Sequence, residues 1–331
     1  MEIKERNINT VFQRGVMIMK DLSTSEKYIQ DSRNGKVCKA PGVVTTIYTH
    51  PTERVLFSEL RDANPFFHLM ESLWMIAGRN DVQWLAQFNK NMTSFTDDGE
   101  TYHGAYGYRW RKQFGYDQIA QIIQLLKKNP NDRRVMLGIW DPTKDLANDS
   151  KDIPCNLMVN FFIENGRLDI KVFNRSNDMI WGAYGANVVQ FSFLQEYVAG
   201  MVGVPVGEYY QISCNFHVYM DIFQKYTAME GITDADEYLM HNITPFQLVE
   251  DPASFDAELD YFFRQPSYYD LTFYRNPFFS MVAVPLFIAW HYYKSEDFDK
   301  ALEWVDKCRA ADWRLACKQW LQRRKDKRNA K

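Results

Sequence analysis

A short polar turn between two apolar segments constrains the fold of this chain more than any other feature. Asn165-Gly166 separates an apolar run, residues 157–163, from an alternating run, residues 168–173. An Asn-Gly pair between two such runs predicts a β-hairpin, because the type I′ turn needs two residues with positive φ. The segment Pro154-Cys155-Asn156 then stands at the open end of that hairpin.

The open end of the hairpin brings a thiol, a guanidinium and a hydroxyl together. With Asn165-Gly166 as the loop, uninterrupted pairing places Cys155 opposite Ser176 and beside Arg175. Side chains alternate between the two faces of a strand, so Arg175 points away from the thiol in that register. If the two side chains act together, as nucleophile and anion site, we expect a β-bulge between them. The alternative is that Cys155 is a small buried core residue, as free cysteines usually are.

The overall charge and the cysteine pattern exclude several classes of protein. A net charge of -3 and a pI near 6.1 argue against a general nucleic-acid-binding protein, so a basic site is local and suits a small anion. The five cysteines lack CxxC spacing, which excludes the usual zinc patterns and fits a reducing compartment. We expect no metal, no membrane and a cytoplasmic location. The charged N-terminus lacks a signal sequence, and the longest apolar stretch, 281–290, is about half a membrane span.

Hydrophobic periodicity predicts a mixture of helices and strands around the hairpin. Glu71 falls near the apolar face of one predicted helix, and Asn215, His217 and Tyr219 alternate so as to share one face. The charge run at 323–328 is expected to be a solvated helix end, with a weak nucleic-acid contact as the alternative. In chain order, the predicted elements are strand 43–48, helix 65–77, helix 117–128, strand 135–140, a helix from 187, strand 209–213, helix 281–293 and helix 299–322.

Several short motifs, taken in order, resemble the thymidylate synthase superfamily, which includes the pyrimidine nucleotide hydroxymethylases. Each motif alone is weak, but their order and spacing follow the family over roughly residues 10–226. The matching residues are Arg33, Glu71 in Met70–Trp74, Tyr106 in Gly104–Trp110, Asp132-Arg133-Arg134, Pro154-Cys155, Arg175-Ser176-Asn177-Asp178, Gly182, Asn187 and His217-Val218-Tyr219.

The resemblance implies an α+β, thymidylate synthase-like fold, with a large mixed β-sheet flanked by helices. Residues 1–226 would form the catalytic core. Residues 227–331 have no counterpart in the family and would form a helical, aromatic-rich C-terminal extension packed on that core. The resemblance also implies a homodimer in which each subunit donates arginines across the interface.

The resemblance further implies a role for each matching residue. Cys155 would add to C6 of a pyrimidine nucleoside monophosphate, which activates C5 toward the one-carbon unit of 5,10-methylenetetrahydrofolate. By the same resemblance, Glu71, Tyr106 and Asp178 would serve in proton transfer, ordered water and folate contact. Arg33, Arg175 and Ser176 would bind the phosphate, and Arg133 and Arg134 would bind it across the dimer. Asn187 would recognise the base, His217 and Tyr219 would bind the ribose, and Phe95 and Gly182 would make further contact with the cofactor.

Departures from the synthase pattern bear on the fate of the one-carbon unit. Asn156 follows the cysteine where synthases have histidine, and Phe95 is the nearest counterpart of the tryptophan that shields the methylene intermediate from water. The apolar C-terminal tail of the synthases is also missing. These departures favour water capture, and hence C5 hydroxymethylation, over thymidylate synthesis as the alternative.

At this stage, alternatives stay open for the base that is recognised and for the activity itself. Asn187 favours dUMP, although strict spacing would select Ala186, and dCMP stays open because an amide can flip. Ser176 beside Arg175 fits the deoxy series. A third hypothesis is an inactive family member that acts as a binding protein through its C-terminal third.

Overall fold

A computed structural model describes residues 1–228, 236–264 and 271–330 of the chain. Its architecture is α+β, as expected, with mixed β-sheets flanked by helices. The strands are β1 (Glu2–Glu5), β2 (Ile29–Ser32), β3 (Gly35–Lys39), β4 (Val44–Tyr48), β5 (Met136–Gly138), β6 (Asn156–Glu164), β7 (Arg167–Asn174), β8 (Asn177–Asp178), β9 (Val206–Ser213) and β10 (Phe216–Tyr219).

Most helices begin at a polar N-cap of the kind that the sequence predicts. Asn64 accepts from the amide of Phe67 and Asp117 from that of Ala120, and Gly78, just beyond the first of these helices, has a φ of +65°. The helices are α1 (Ile8–Ser23), α2 (Pro65–Ile76), α3 (Val82–Phe88), α4 (Tyr106–Arg111), α5 (Gln118–Lys128), α6 (Pro142–Asp145), α7 (Asn187–Val202), α8 (Met220–Phe223), α9 (Glu237–Met240), α10 (Phe255–Arg264), α11 (Val284–Lys294), α12 (Phe298–Lys307) and α13 (Ala311–Asn329).

Six strands form the large sheet, in the order β1-β4-β9-β7-β6-β5. The β6–β7 hairpin turns at Asn165 and Gly166, both with positive φ, as the Asn-Gly pair predicts. Helix α7 packs on one face of this sheet, against β7 and β9. On the opposite face, apolar side chains are only half-buried: Met158, Phe162, Phe173, Tyr210 and Ile212. A half-buried apolar sheet face is suited to contact with another surface.

A second sheet of four strands, in the order β2-β3-β10-β8, lies outside the sequence-based expectations. The chain leaves the large sheet after Ser213 and enters the small one at Phe216, so the predicted strand is interrupted. Asn215 therefore falls between β9 and β10, and the expectation that it shares a strand face with His217 and Tyr219 is wrong. The polar loop at 31–36 is a β2–β3 hairpin with Arg33 at its turn.

The C-terminal third is helical in its described residues and packs on the core through aromatic side chains. Trp84 of α3 stacks on Phe287 of α11 with ring centroids 5.4 Å apart, and Phe66 of α2 contacts Trp290. The single helix predicted at 299–322 is instead two helices, α12 and α13, because Cys308 adopts an extended conformation between them. Residues 229–235, 265–270 and 331 of the predicted extension lie outside the described residues.

The first half of the C-terminal charge run, residues 323–325, is not the solvated helix end that the sequence suggests, whereas residues 326–328 are exposed. Arg323 and Arg324 both bind Asp62 of the core. Lys325 pairs with Asp299 of α12, at 2.7 Å. None of the helices in the described residues is both long and apolar enough to cross a bilayer.

Candidate active site

A β-bulge at the open end of the hairpin sets the position of Cys155. Pairing is regular from Glu164–Arg167 to Met158–Phe173, but Asn156 then pairs with Asn174, which leaves Leu157 as an extra residue. The Leu157 carbonyl accepts from the amides of both Ile139 and Trp140, at 2.8 and 3.0 Å. The bulge expected between Cys155 and Arg175 is confirmed, and it places Arg175 rather than Ser176 opposite the cysteine.

The Arg175 side chain lies along the segment that carries the thiol. Its Nε donates to the carbonyl of Pro154 at 2.8 Å, and its Nη2 donates to that of Ile153 at 3.1 Å. Burial raises the pKa of the Cys155 thiol, and the nearby Asp152 adds to the rise. The positive charges of Arg175 and Arg33 work in the opposite direction. Arginines from two distant segments are thus within electrostatic reach of one thiol.

The small sheet gathers three of the predicted substrate-binding residues and Asp178. His217 pairs in register with Asp178 of β8, and its ring lies 5.4 Å from that of Tyr219 in an edge-on arrangement. The β2–β3 turn that carries Arg33 reaches the same region, where Asn34 Nδ2 lies 3.5 Å from the Tyr219 hydroxyl. The sheet therefore joins residues that are nearly two hundred positions apart in the chain.

A ladder of amides lies beside this sheet. Asn187 Nδ2 donates to Asn177 Oδ1 at 3.1 Å, and Asn177 Nδ2 donates to Ser213 Oγ at 3.1 Å. A Cβ at Gly182 would come within 2.8 Å of Asn177 Oδ1, so the ladder needs glycine there. The side chain of Asn187 faces this ladder. Asn187 therefore supplies an amide for the base-recognition role, for which strict spacing would select Ala186.

Buried polar groups without partners occur at the start of β6 and on the helices α2 and α7, which pack together. Burial raises the pKa of Glu71 to about 7, with a small opposing effect from Gln190. Within the described residues, Glu71 Oε2, Gln190 Oε1 and both polar atoms of Asn156 lack a hydrogen bond of good geometry. Buried polar atoms normally have partners, so this region is suited to ordered water or a polar ligand.

Tyr106 borders the same region. Burial raises the pKa of its hydroxyl, and the nearby Cys155 and Asp152 add to the rise, so the hydroxyl keeps its proton at neutral pH. The hydroxyl lies beside the Asn156 amide and the Cys155 backbone, which oppose the rise. Its ring contacts Phe191 of α7, with centroids 6.0 Å apart.

Asp178 begins a bent helical segment, Met179–Ala186, as its N-cap. Its Oδ1 accepts from the amide of Trp181 at 2.6 Å. Burial raises the pKa of the Asp178 carboxyl, whereas this hydrogen bond, His217 and Arg61 work to lower it. The segment departs from helical geometry at Tyr184 and Gly185. Gly182 lies in its middle, so two of the three residues predicted to contact the cofactor, Asp178 and Gly182, belong to this segment and its N-cap.

Three predicted residues stand apart from this cluster in the single chain. Phe95 ends a 3₁₀ turn, Lys90–Phe95, and its side chain is 48% exposed. Arg133 and Arg134 are exposed before β5, at the edge of the large sheet, and Arg134 Nη2 binds Asp132 at 2.6 Å. No group of three or more potential metal ligands comes together in the parts of the chain that the structure describes.

Sequence reasoning missed two residues that border the site. Arg61 is only 7% exposed, its Nε donates to the Ile180 carbonyl at 3.0 Å, and its guanidinium lies 4.3 Å from the centre of the Trp181 ring. Trp181 itself is 49% exposed, next to Gly182. The available signal was weak: an arginine just before a helix N-cap and a tryptophan beside a glycine are ordinary surface features.

The sequence of the chain has counterparts among known proteins. Residues 43–236 match the sequence model of the family described as thymidylate synthase. The chain belongs to the thymidylate synthase family, whose members are one-carbon transferases.

Individual relatives narrow the comparison further. The chain is 46% identical to the deoxyuridylate hydroxymethyltransferase of Pseudomonas phage M6, over 98% of this chain and 94% of that protein. It is 43% identical to the protein of the same name from Bacillus phage SP01, over 56% of this chain and 52% of that protein. A putative thymidylate synthase of Methanothermobacter thermautotrophicus is 30% identical over 64% of this chain and 91% of that protein.

Proposed function

We propose that the protein is a folate-dependent hydroxymethylase that converts dUMP to its 5-hydroxymethyl derivative with 5,10-methylenetetrahydrofolate. The observation that carries the proposal is the near full-length similarity to the deoxyuridylate hydroxymethyltransferase of Pseudomonas phage M6. The bulged hairpin supports it, because the bulge brings Arg175 beside the Cys155 thiol.

Cys155 is the proposed nucleophile toward C6 of uracil. C5 of a pyrimidine is a poor nucleophile, and addition of a thiolate to C6 gives C5 the electron density of an enolate carbon. Burial keeps this thiol protonated in the single chain, so positive charge is needed to ionise it. Arg175 and Arg33 supply part of that charge.

The nucleotide phosphate is proposed to bind at the arginines around the thiol. Planar guanidinium groups suit a phosphate because they donate two parallel hydrogen bonds. Arg33, Arg175 and Ser176 come from the same chain as Cys155. Within the described residues, Arg133 and Arg134 are exposed and their one ion pair joins Arg134 to Asp132, which supports their donation to the site of a second subunit.

A homodimer is therefore part of the proposal. The half-buried apolar face of the large sheet, which includes Phe162, Phe173 and Ile212, is a suitable contact surface. A two-fold dimer through this face would pair the same side chains from both copies. It would also add the Arg133 and Arg134 charges to the field that ionises the Cys155 thiol.

Base and sugar have separate proposed partners. The Asn187 amide can donate to one carbonyl oxygen of uracil and accept from its N3–H, and its bond to Asn177 uses only one of its two amide hydrogens. His217 and Tyr219 share one face of β10 and are proposed to hold the ribose hydroxyl.

The residues of the bent segment fit the folate co-substrate. Gly182 lets the segment pack closely against the Asn177 and Asn187 amides, and the exposed Trp181 ring offers a surface for an aromatic ring system. Phe95 is proposed to complete the site from its exposed turn. The bound co-substrate supplies a one-carbon unit at the oxidation level of formaldehyde. The protein positions it with Asp178 and Gly182, and Asp178 is also proposed to transfer a proton.

Water capture, rather than hydride transfer, is the proposed final step. The Glu71 carboxyl, with its pKa near 7, can accept a proton from water at neutral pH. The unpartnered amide of Asn156 and the protonated Tyr106 hydroxyl are available to orient that water. The nearest counterpart of the shielding tryptophan is a phenylalanine, Phe95. The free, scattered cysteines support a cytoplasmic location for this activity.

Product analysis tests the proposal against its alternatives. Purified protein is incubated with 5,10-methylenetetrahydrofolate and either dUMP or dCMP, and the nucleotides are separated by chromatography with mass detection. We expect 5-hydroxymethyl-dUMP, with unreacted dCMP and no rise in dihydrofolate absorbance. Thymidylate with dihydrofolate would instead identify a synthase. Absence of any product from both nucleotides would support the inactive binding protein.

A further inference from the structure

Two adjacent arginines of the C-terminal helix converge on one carboxylate of the core. Arg323 Nε and Nη2 donate to Asp62 Oδ1 at 3.1 and 3.0 Å. Arg324 forms a two-point contact, with Nη1 to Oδ1 at 2.6 Å and Nη2 to Oδ2 at 2.8 Å. All three side chains are less than one-third exposed. Forked, partly buried contacts of this kind are geometrically specific.

Asp62 is joined directly to Arg61, which points into the protein. There the Arg61 guanidinium reaches the bent segment Met179–Ala186 at two points, the Ile180 carbonyl and the Trp181 ring. A Cβ at Gly185 would lie 3.3 Å from Arg61 Nη2, so the segment is packed tightly around this side chain. One dipeptide therefore connects α13 to the segment proposed to hold the folate.

The bent segment depends on such outside contacts. Tyr184 and Gly185 leave helical geometry, so the segment lacks the regular hydrogen bonds of an α-helix at this point. Arg61 is also close enough to Asp178 to lower the pKa of that carboxyl. A shift of Arg61 would move the carbonyl of Ile180 and the ring of Trp181, and it would alter the electrostatic environment of Asp178 at the same time.

We infer that α13 positions the folate-binding segment through Asp62 and Arg61, which makes Arg61, Asp62, Arg323 and Arg324 positioning residues for the co-substrate. The C-terminal extension then holds the segment through Arg61 and Asp62. Only the identity of the ligand rests on the proposed function, because the contacts from α13 to Trp181 do not depend on it.

Hydrogen exchange in the ligand-free, full-length protein tests the connection directly. The variant Arg323→Gln/Arg324→Gln removes both forks, and Lys325→Gln is the matched control because Lys325 is the next residue of α13 and pairs with Asp299. We expect peptides covering 178–186 to exchange about threefold faster or more in the double variant, with wild-type rates in the control. A uniform rise over the whole chain would overturn the inference, as would unchanged exchange at 178–186.

A second variant keeps the test valid if the double variant folds poorly. Asp62 has a φ of +49°, which asparagine tolerates, so Asp62→Asn removes the charge and keeps the backbone conformation. We expect the KM for 5,10-methylenetetrahydrofolate to rise about tenfold, while the KM for dUMP stays within about twofold. Arg323→Lys/Arg324→Lys, which keeps the charges, should raise the KM for 5,10-methylenetetrahydrofolate less than Arg323→Gln/Arg324→Gln does.

The outcomes separate this inference from the proposed function. Wild-type protein that forms no product from dUMP contradicts the function, while the exchange rates at 178–186 still decide whether α13 controls the segment. Wild-type protein that forms product, together with an Asp62→Asn variant whose two KM values are unchanged, contradicts the inference alone. Equal rises in both KM values would also contradict it, because a general loss of structure would affect both substrates.

Discussion

The backbone amide of Arg175 donates to the carbonyl oxygen of Cys155 across 3.0 Å, which makes these two residues direct neighbours across the hairpin. The contact exists because Leu157 is an extra residue on β6. Without that bulge, the thiol would face Ser176. The proposed nucleophile and its nearest positive charge thus depend on one irregularity in the β6–β7 ladder.

Removal of the thiol should abolish turnover. We expect Cys155→Ala to lower kcat for 5-hydroxymethyl-dUMP by at least about 10³-fold, since the thiol is the group proposed to add to C6. Calorimetric titration should still detect dUMP binding, because the arginines remain. Cys214→Ala is the control, as Cys214 is an exposed free thiol. A Cys155→Ala variant within about tenfold of wild type would exclude the proposed nucleophile.

The shape of the Arg175 side chain should matter more than its charge. Arg175→Lys keeps the positive charge but loses the fork that holds the Ile153 and Pro154 carbonyls. We expect the KM for dUMP to rise about tenfold or more. The same substitution at Arg167, at the other end of the hairpin, should leave it unchanged. Equal KM values for Arg175→Lys and wild type would contradict a phosphate contact.

The raised pKa of Glu71 makes stability depend on pH. The folded protein holds this proton up to about pH 7, whereas the unfolded chain releases it near the usual glutamate pKa of 4.5. Folding stability from this group is therefore present at low pH and is lost as pH rises through 7. Glu71→Gln should be more stable than wild type above neutral pH, by on the order of 3 kcal/mol relative to acidic pH. Urea unfolding across this range measures it, and a pH-independent difference would contradict it. Glu303→Gln, on the exposed surface of α12, is the control.

Replacement of Asn156 by an apolar residue should raise stability and lower activity. A buried amide without partners costs about 1–3 kcal/mol, so Asn156→Leu should raise the midpoint of urea unfolding. It should also slow turnover, because the amide is proposed to orient water. The facing Asn174 donates to the Ile212 carbonyl at 3.3 Å although its Oδ1 has no partner among the described residues, so Asn174→Leu should raise the midpoint less than Asn156→Leu does. A less stable Asn156→Leu variant would show that the amide has partners in the folded protein.

Shared active sites should allow two inactive variants to complement each other. In a dimer of Cys155→Ala with Arg133→Gln/Arg134→Gln, one of the two sites contains the thiol and both arginines. Random mixing should restore about a quarter of the wild-type activity, and each variant alone should be nearly inactive. Mixtures no more active than the separate variants would contradict the donation of Arg133 and Arg134 across the interface.

Local signals in the sequence predicted part of the fold. The Asn165-Gly166 turn and the Asn64 cap act within a few residues, so their consequences could be anticipated. The bulge could also be anticipated, because the chemistry of Cys155 and Arg175 required a departure from regular pairing. The small sheet could not, since its strands are short and β10 pairs with β3 over a long separation in the chain.

The contacts that hold the site in place from outside it could not be predicted from the sequence either. A buried arginine such as Arg61 has no periodic signal, because its burial depends on Ile180 and Trp181 from a distant segment. The charge run at 323–328 looked solvated because its acidic partners, Asp62 among them, lie elsewhere in the sequence. The resemblance to the family supplied candidate residues, whereas these contacts had to be read from the structure.

The pairing of β10 with β3 and β8 has a consequence for synthesis on the ribosome. The strand with His217 and Tyr219 is the last of the small sheet to be made, although β2 and β3 are among the first. The early strands must wait for it, because contacts of such long range form late. Arg323 and Arg324 emerge later still. A nascent or truncated chain that stops short of β10 would therefore have Arg175 beside its reactive cysteine but would lack the small sheet that gathers Arg33, His217 and Tyr219, so its substrate site would be incomplete.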